Sequence, residues 1–511
     1  MSFETGVKLV NSIVQSDFFV YLCLSAGAFF SYKTKFVQLR YLKEMGKLML
    51  KRKKSSQGIS SFQALCTTLA GRIGTGNIAG VATAISLGGP GSIFWMWVIS
   101  LLGASTSFIE CVLGQLYKEE VDGEYRGGPA YYIEKGTGKK GFGILFAFLI
   151  VIAMGFLLPG VQANSIASSM RIAFDIDSQI IGLILVSLIS LIIFGGIKRI
   201  AVVSEFVIPF MGAIYLMMAI GMVVVNYTKI PEVFSLIIGS AFGKDQIFGG
   251  MLGVGISWGV KRGIYSNEAG RGTAPHAAST AESDHPAEQG FVQALSVFID
   301  TLVICSATAF MIIVSGMYNV QNPEGGFLIN NLPGVDMGPA YTQYAINTFL
   351  PGFGKSFIAI ALFFFAFTSA MASYYIAETN ITYLAKRTIK NEDFRKKVTK
   401  ISVNIIRVVI LTTIYLGTIR KSGIAWTLGD IGVAITAWIN ILAMGFIYKP
   451  ALKVLWDYEK QLKEKGHGNI TFNPKELDIE HAEFWENKVK DSKEIDSEVS
   501  EESFVGKPVT Q

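Results

Sequence analysis

The chain reads as an all-α integral membrane protein of eleven transmembrane helices. One accessory N-terminal helix precedes a 5+5 inverted-repeat core whose first and sixth helices are broken. Three observations predict this. Only 16% of the 511 residues are charged and 51% are hydrophobic, whereas a soluble domain carries about a quarter charged residues. Apolar runs near the ~20 residues needed to cross a bilayer recur from end to end. Two of those runs are interrupted by glycines at corresponding places.

The runs cover about 17–32, 62–87, 91–117, 141–168, 178–196, 200–226, 235–264, 290–317, 354–385, 402–419 and 424–447. The first follows a polar start and precedes a long basic loop, which suits a retained helix better than a cleaved leader. Cys23, Cys66, Cys111 and Cys305 all sit inside apolar runs as packing residues, with neither disulfide nor metal spacing. The four histidines fall in the loop after the seventh run or in the C-terminal tail, so no histidine-held metal is expected in the bundle.

Charge sets the orientation. The 32–61 loop holds Lys33, Lys35, Arg40, Lys43, Lys47, Lys51, Arg52, Lys53 and Lys54 against Glu44 alone, and the 386–400 loop holds seven basic residues against two acids. Lysine and arginine favour the cytoplasmic side, so the N-terminus is expected outside, the C-terminus inside and the protein multi-pass in the cell membrane. The net charge of +6 then reflects topology, and nothing points to nucleic acid or to an obligate protein partner. The expected organisation is 1–61 for the accessory helix and basic loop, 62–226 and 227–448 for the two repeats, and 449–511 for a charged tail. Residues 450–511 hold fourteen acids and nine lysines, read as a short helical start and a disordered cytoplasmic end.

The two interruptions are "AGRIGTGNIAG" (Ala70 to Gly80) and "FGGMLGVGISWGVKRG" (Phe248 to Gly263). With the first run set aside, they occupy the first and sixth of ten core helices. Paired glycine-interrupted segments in corresponding halves point to the binding site of an inverted-repeat transporter. Unwinding at mid-membrane frees backbone N–H and C=O groups beside a polar cavity. Freed donors suit an anionic group and freed carbonyls a small cation; a zwitterion with a sodium ion fits both. The competing use of such glycines is close helix packing, open to Gly76, Gly80, Gly249 and Gly253.

The stretch from Phe62 to Gly103, "GGPAYYIEKG" (Gly127 to Gly136), "VKRGIYSNEAGRGTAP" (Val260 to Pro275) and "FIDTLVICSAT" (Phe298 to Thr308) resemble the signature blocks of the alanine or glycine:cation symporter family. The resemblance runs from about Phe18 to Lys449. It implies sodium- or proton-driven uptake of a small neutral amino acid through a core similar to the leucine-transporter fold, with sodium as co-transported cation and no bound cofactor. It further implies a carboxylate cradle at Gly74, Thr75 and Gly76, with Asn77 beside it, and a sodium ion between the Ala70 and Ile73 carbonyls and the Thr368 and Ser369 hydroxyls. Gln162 matches a family glutamine that could contact substrate, and Ile256 and Trp258 are expected as an apolar wall at the second break. Ser373 stands where many relatives carry a bulky aromatic, which admits a larger polar substrate such as glutamine or serine. Arg72 replaces a small residue; it could hold a carboxylate or stand in for a second sodium ion.

Ionisable residues inside a membrane are functional candidates by default. Glu110, Asp300 and Asp430 are the coupling or gating candidates, with Glu110 or Asp300 expected to pair with Arg72. Glu205, Lys261 and Arg262 sit near predicted helix ends, where they snorkel or form a gate. The sequence contains no H-E-x-x-H or P-loop motif, which argues against an enzyme. It shows no repeated filter segment of the kind a channel would need.

Overall fold

The computed structural model describes residues 3–51, 57–466 and 470–490. Among them, eight helices are long and apolar enough to cross a membrane: Phe3–Lys33 (with a turn at 15–16), Ser92–Leu116, Lys140–Phe174, Gly196–Val225, Pro286–Ser315, Gly354–Thr388, Glu392–Ile419 and Ser422–Ile447. Gly76–Gly88 and Ser178–Ile193 are shorter apolar helices. A helix bonds its backbone groups internally, the condition for lying in hydrocarbon. The outer helices turn bare apolar side chains outward, with Phe206, Met217, Val408 and Phe446 all more than half exposed. A soluble protein would bury such a surface. Apart from helices, the described residues form two small hairpins, Glu119–Val121 with Glu124–Arg126 and Asn319–Gln321 with Phe327–Asn330.

Ser92–Leu116 and Gly354–Thr388 form the middle of the bundle and are buried over most of their length. Small residues let neighbours approach the first of these closely. A methyl group added at Gly103 would stand 2.9 Å from Ala269 Cβ, and one at Gly114 would stand 2.9 Å from Pro275 Cβ.

The first break lies where it is expected. Helix Ser61–Arg72 begins in a capping box at Ser60 and Gln63 and ends at Ile73, which is extended (φ −75°, ψ 96°). After Gly74 the chain re-enters a helix, at first with the wide π-type turn of Gly76–Gly80 and then as Val81–Gly88. A side chain at Gly74 would run into Ser369 Oγ and Gln162 Oε1, so glycine is required by close approach.

The second break is not at Phe248–Gly263. After a 3-10 turn at Gly249–Met251, helix Leu252–Asn267 runs uninterrupted. Three of its glycines, Gly255, Gly259 and Gly263, recur every four residues and so share one face. A methyl at Gly255 would meet Gly88 O at 3.0 Å, while one at Gly259 would collide with Ser92 O and one at Gly263 with Ile99. They serve helix packing. The chain unwinds one turn later, at 268–273, where Glu268, Gly270 and Gly272 take positive φ (58°, 82° and 76°). Helix Ala274–Thr280 follows, wholly buried, so most of what reads as a polar loop is interior structure.

The tail also departs from expectation. After helix Lys449–Lys465, residues 470–490 return to the bundle and bury Ile470, Phe472, Ile479, Ala482 and Trp485. Trp485 Nε1 donates to Gln115 O at 2.9 Å, and Lys488 Nζ donates to Glu282 at 2.8 Å. The Lys118 ammonium lies 4.4 Å from the ring centroids of both Tyr125 and Phe484. A few aromatics among many charges thus suffice to hold the segment, which an average composition conceals. Residues 491–511, and Arg52, Lys53 and Lys54 of the basic loop, lie outside the described residues.

At the same end of the bundle, Glu119 is gripped by Lys135, Lys386 and Arg387. Burial alone would raise its carboxyl, but the three cations outweigh burial and hold it at about 2.

Truncating a buried aromatic costs about 3–5 kcal/mol, more than a short docked segment can lose. Trp485→Ala is therefore expected to expose 470–490 to limited proteolysis while the bundle stays intact. A cleavage pattern like that of the wild type would refute the docking.

Candidate functional site

The two breaks face one another. At the first, the freed Gly74 N–H donates to Asn77 Oδ1 at 2.9 Å and the Thr75 N–H to Gln162 Oε1 at 3.1 Å. Ser369 Oγ stands on the carbonyls of the last helical turn, 3.0 Å from Ala70 O and 2.8 Å from Gly71 O. Two carbonyls and a hydroxyl are hard oxygen donors suited to a small hard cation. Thr368 takes no part, because its hydroxyl returns to Phe365 O in its own helix at 2.9 Å. Gly71 supplies the second carbonyl in the Ser369 contact, and Ile73 is the extended residue at which the helix stops.

At the second break, Glu110 reaches across from the central helix. Its carboxylate accepts the Gly270 and Gly272 N–H groups at 3.3 and 3.1 Å and Asn440 Nδ2 at 3.0 Å. Glu110 is therefore a positioning residue for the unwound backbone. Asp300 lies in the π-type segment Ile299–Cys305, a distortion frequent at functional sites. It accepts from Asn77 Nδ2 at 2.6 Å, Ser266 Oγ at 2.9 Å and Thr301 Oγ1 at 2.8 Å, joining the first break to the helix that leads into the second. Asn77 is fully engaged by this arrangement.

Between the breaks lies a cavity of about 20 Å³, enough for about one water. Of the expected residues, Arg72, Gly76, Gln162, Ser369 and Ser373 line it. Ser373 donates to Ser369 O at 3.0 Å. Ile256 and Trp258 do not line it, since the break lies beyond them. The apolar surface comes from Tyr265, Met154, Leu158 and Ile376 instead.

Arg72 forms no ion pair with Glu110 or Asp300. Its Nη1 donates to Gln293 O and Ser296 Oγ, and its Nη2 to Ser107 Oγ. Neutral oxygens turned toward it from two neighbouring helices replace the expected carboxylate partner.

Asp430 lies outside the cavity, 2.6 Å from Arg262 Nη2. The Arg262 guanidinium sits 5.1–5.4 Å from the ring centroids of Trp258, Tyr265 and Trp426. Tyr265 and Trp426 touch at 5.2 Å between centroids. Tyr265 lines the inner cavity, whereas Trp426 lines a larger one of about 490 Å³ with Arg171, Asp175, Asp336 and Arg420. The two touching rings thus stand between the cavities, with the Arg262 guanidinium packed against both. Lys261 stays on the Trp258 ring at 5.7 Å, and Glu205 accepts from Gln63 at 2.9 Å.

Glu268 and Arg271 also line the inner cavity and were not anticipated. Their signal is the G-x-G of Gly270-Arg271-Gly272, which repeats the Gly74-Thr75-Gly76 of the first break.

Removing one oxygen acceptor from Glu110 leaves a buried N–H unpaired, at a cost of about 1–3 kcal/mol. Glu110→Gln is expected to lower the unfolding temperature of the purified protein by several degrees. A temperature equal to that of the wild type would show that the unwound segment does not depend on this carboxylate.

Similarity to known proteins bears out the resemblance. Residues 1–472 match the sodium:alanine symporter family. The "Putative sodium/proton-dependent alanine carrier protein YrbD" of Bacillus subtilis is 52% identical over 482 residues, 94% of this chain and 97% of that protein. The "Sodium/proton-dependent alanine carrier protein" of Bacillus sp. PS3 is 44% identical, covering 87% and 98%. The "Probable sodium/glutamine symporter GlnT" of Bacillus subtilis is 39% identical, covering 90% and 91%. With two broken helices meeting at a small polar cavity, and a match along nearly its whole length, this chain belongs to the sodium:alanine symporter family.

Proposed function

We propose that the protein is a sodium-coupled symporter that imports a small neutral amino acid of the alanine or glycine class by alternating access. The observation that carries this reading is the Ser369 hydroxyl standing on the Ala70 and Gly71 carbonyls, directly before a break whose N–H groups are free of the helix. A sodium ion bound to these oxygens, with Ile73 O released at the break, would order the unwound segment and so raise amino-acid affinity. Thr75, Gly76 and Gln162 face the substrate in this reading, with Ser373 bounding its side chain.

In the membrane, the eight long helices are joined by Ser178–Ile193 and by the two broken helices, 61–88 and 249–280, to give eleven crossings in a leucine-transporter-like 5+5 inverted repeat. The N-terminus lies outside and the C-terminus inside. The Arg262–Asp430 pair and the Tyr265–Trp426 rings are then the outer gate. The inner gate is the contact of Ile59 with Ala281 and of Gln289 with Ser61 Oγ. Opening one gate while the other stays shut moves the loaded site from one side to the other, as population shift between two states requires.

Ser373 supports a second reading with the same mechanism, in which a larger polar amino acid such as glutamine is carried. It presents a small hydroxyl side chain at the cavity where a bulky one would fill it.

Uptake into proteoliposomes tests both. Ser369→Ala is expected to raise the sodium concentration for half-maximal uptake at least roughly tenfold, the loss of one charge-assisted contact, while Thr368→Ala stays near the wild type. Equal effects would refute the sodium-site assignment. Ser373→Trp is expected to abolish competition by glutamine and keep uptake of glycine. Undiminished glutamine competition would show that Ser373 does not bound the substrate.

A further inference from the structure

The docked segment 470–490 supports the inner gate from outside. The gate is closed by two backbone bonds: the Ile59 N–H donates to Thr280 O at 3.0 Å, and the Glu282 N–H donates to Ile59 O at 2.9 Å. They zip the start of the first broken helix to the end of the second, so opening on this side requires both to break. Residues 281–283 form one side of that zip. Lys118 Nζ and Gln115 Nε2 donate to Ala281 O at 3.0 and 2.9 Å. Glu282 accepts from Lys488 Nζ at 2.8 Å and from Tyr125 Oη at 2.9 Å, and Ser283 O accepts from Lys488 Nζ at 2.8 Å.

The segment reaches every one of these supports. Trp485 Nε1 donates to Gln115 O at 2.9 Å, and the Phe484 ring meets the edge of Tyr125 at 5.0 Å between centroids. Phe484 and Trp485 also cover the Lys118 ammonium, at 4.4 and 5.6 Å from their ring centroids, close enough for cation–π attraction. Tyr125 touches the other side of the gate as well, since a methyl group at Gly58 would stand 2.8 Å from its ring. Gln57 lines a cavity of about 500 Å³ with Phe484, Asn487 and Lys488, which places the segment over the mouth of the gate. Burial holds the Lys118 ammonium well below the usual lysine range, so covering it opposes docking. The ion pairs of Lys488 with Glu282 and of Lys135 with Glu483 act the other way. Docking is the difference between these opposing effects, which makes it releasable.

We propose that segment 470–490 is an autoinhibitory latch, which holds residues 281–283 against Ile59 and keeps the inner gate shut until it releases. The latch rests on the alternating-access reading for its gate and adds the element that restrains that gate. The family match ends at residue 472, so Phe484, Trp485 and Lys488 lie beyond the matched residues.

The test uses the full chain in nanodiscs, with Thr68→Cys as a reporter of the path behind the gate. Thr68 lies about two turns into its helix from Ser61, is 4% exposed and lines a small cavity with Gly71, Glu268 and Ala277. The lining of that cavity runs from Thr67 to Ile376, so losing the latch does not by itself uncover it. The parent chain, whose four native cysteines are buried, sets the background. A maleimide is expected to label the reporter at least roughly fivefold faster when Trp485→Ala is added, the population shift that loss of a modest restraint produces. Lys488→Ala, which removes only the bonds to Glu282 and Ser283, is expected to act in the same direction and carries the test if the tryptophan variant does not insert. A merely structural anchor would leave the labelling rate unchanged in an inserted variant, and that result overturns the latch. Absence of sodium-driven alanine uptake by the wild type in proteoliposomes would overturn the symport reading itself, a separate outcome, because labelling needs no substrate.

Discussion

A helix broken inside hydrocarbon must find partners for the backbone groups it releases, and the centre of this protein is organised around that requirement. Water satisfies such groups at a protein surface; at mid-membrane only other side chains or a bound ligand can. At the first break, Asn77 and Gln162 accept the freed N–H groups, and Ser369 meets the carbonyls. At the second, Glu110 and Asn440 hold Gly270 and Gly272. Each partner comes from elsewhere in the chain, apart from Asn77. The breaks therefore tie together helices that lie far apart in the sequence.

The same requirement distributes the buried charges. Arg262 is neutralised by Asp430 and surrounded by three aromatic rings. Glu268 and Arg271 neutralise one another next to the cavity. Asp300 is surrounded by hydroxyls and an amide. Arg72, by contrast, is held by neutral oxygens. Removing one member of such a set leaves a group unpaired at low dielectric, so each set is retained or lost as a unit.

Much of this was legible from residue order alone. Most of the apolar runs coincide with helices because run length and internal hydrogen bonding are local properties, but 235–264 is divided between Ile230–Ala241 and Leu252–Asn267. The first break was legible because Gly74 and Gly76 flank polar residues in an otherwise apolar run. The second was displaced by a turn because glycine has two uses in membranes. Gly255, Gly259 and Gly263 bring helices together, whereas Gly270 and Gly272 carry positive φ, and composition cannot separate packing from unwinding. Since Glu268 and Arg271 are charged, 268–273 reads as a surface loop, and only burial shows it to be interior. The docked segment 470–490 was hidden in the same way, its few aromatics diluted by charge.

Residue order by itself determined that the chain spans a membrane as a helical bundle, that an apolar run is interrupted between Ala70 and Gly80, and that its blocks match an amino-acid symporter family. These depend on hydropathy, on glycine's backbone freedom and on contiguous motifs, all of them local. The tertiary structure alone decided which glycines unwind a helix, that Ser369 and not Thr368 turns to the carbonyls, that Arg72 gives its hydrogen bonds to neutral oxygens, and that Arg271 keeps one edge of its guanidinium unpaired. Hydrogen-bond partners hundreds of positions apart depend on how helices rotate and pack against one another, and no local pattern encodes that.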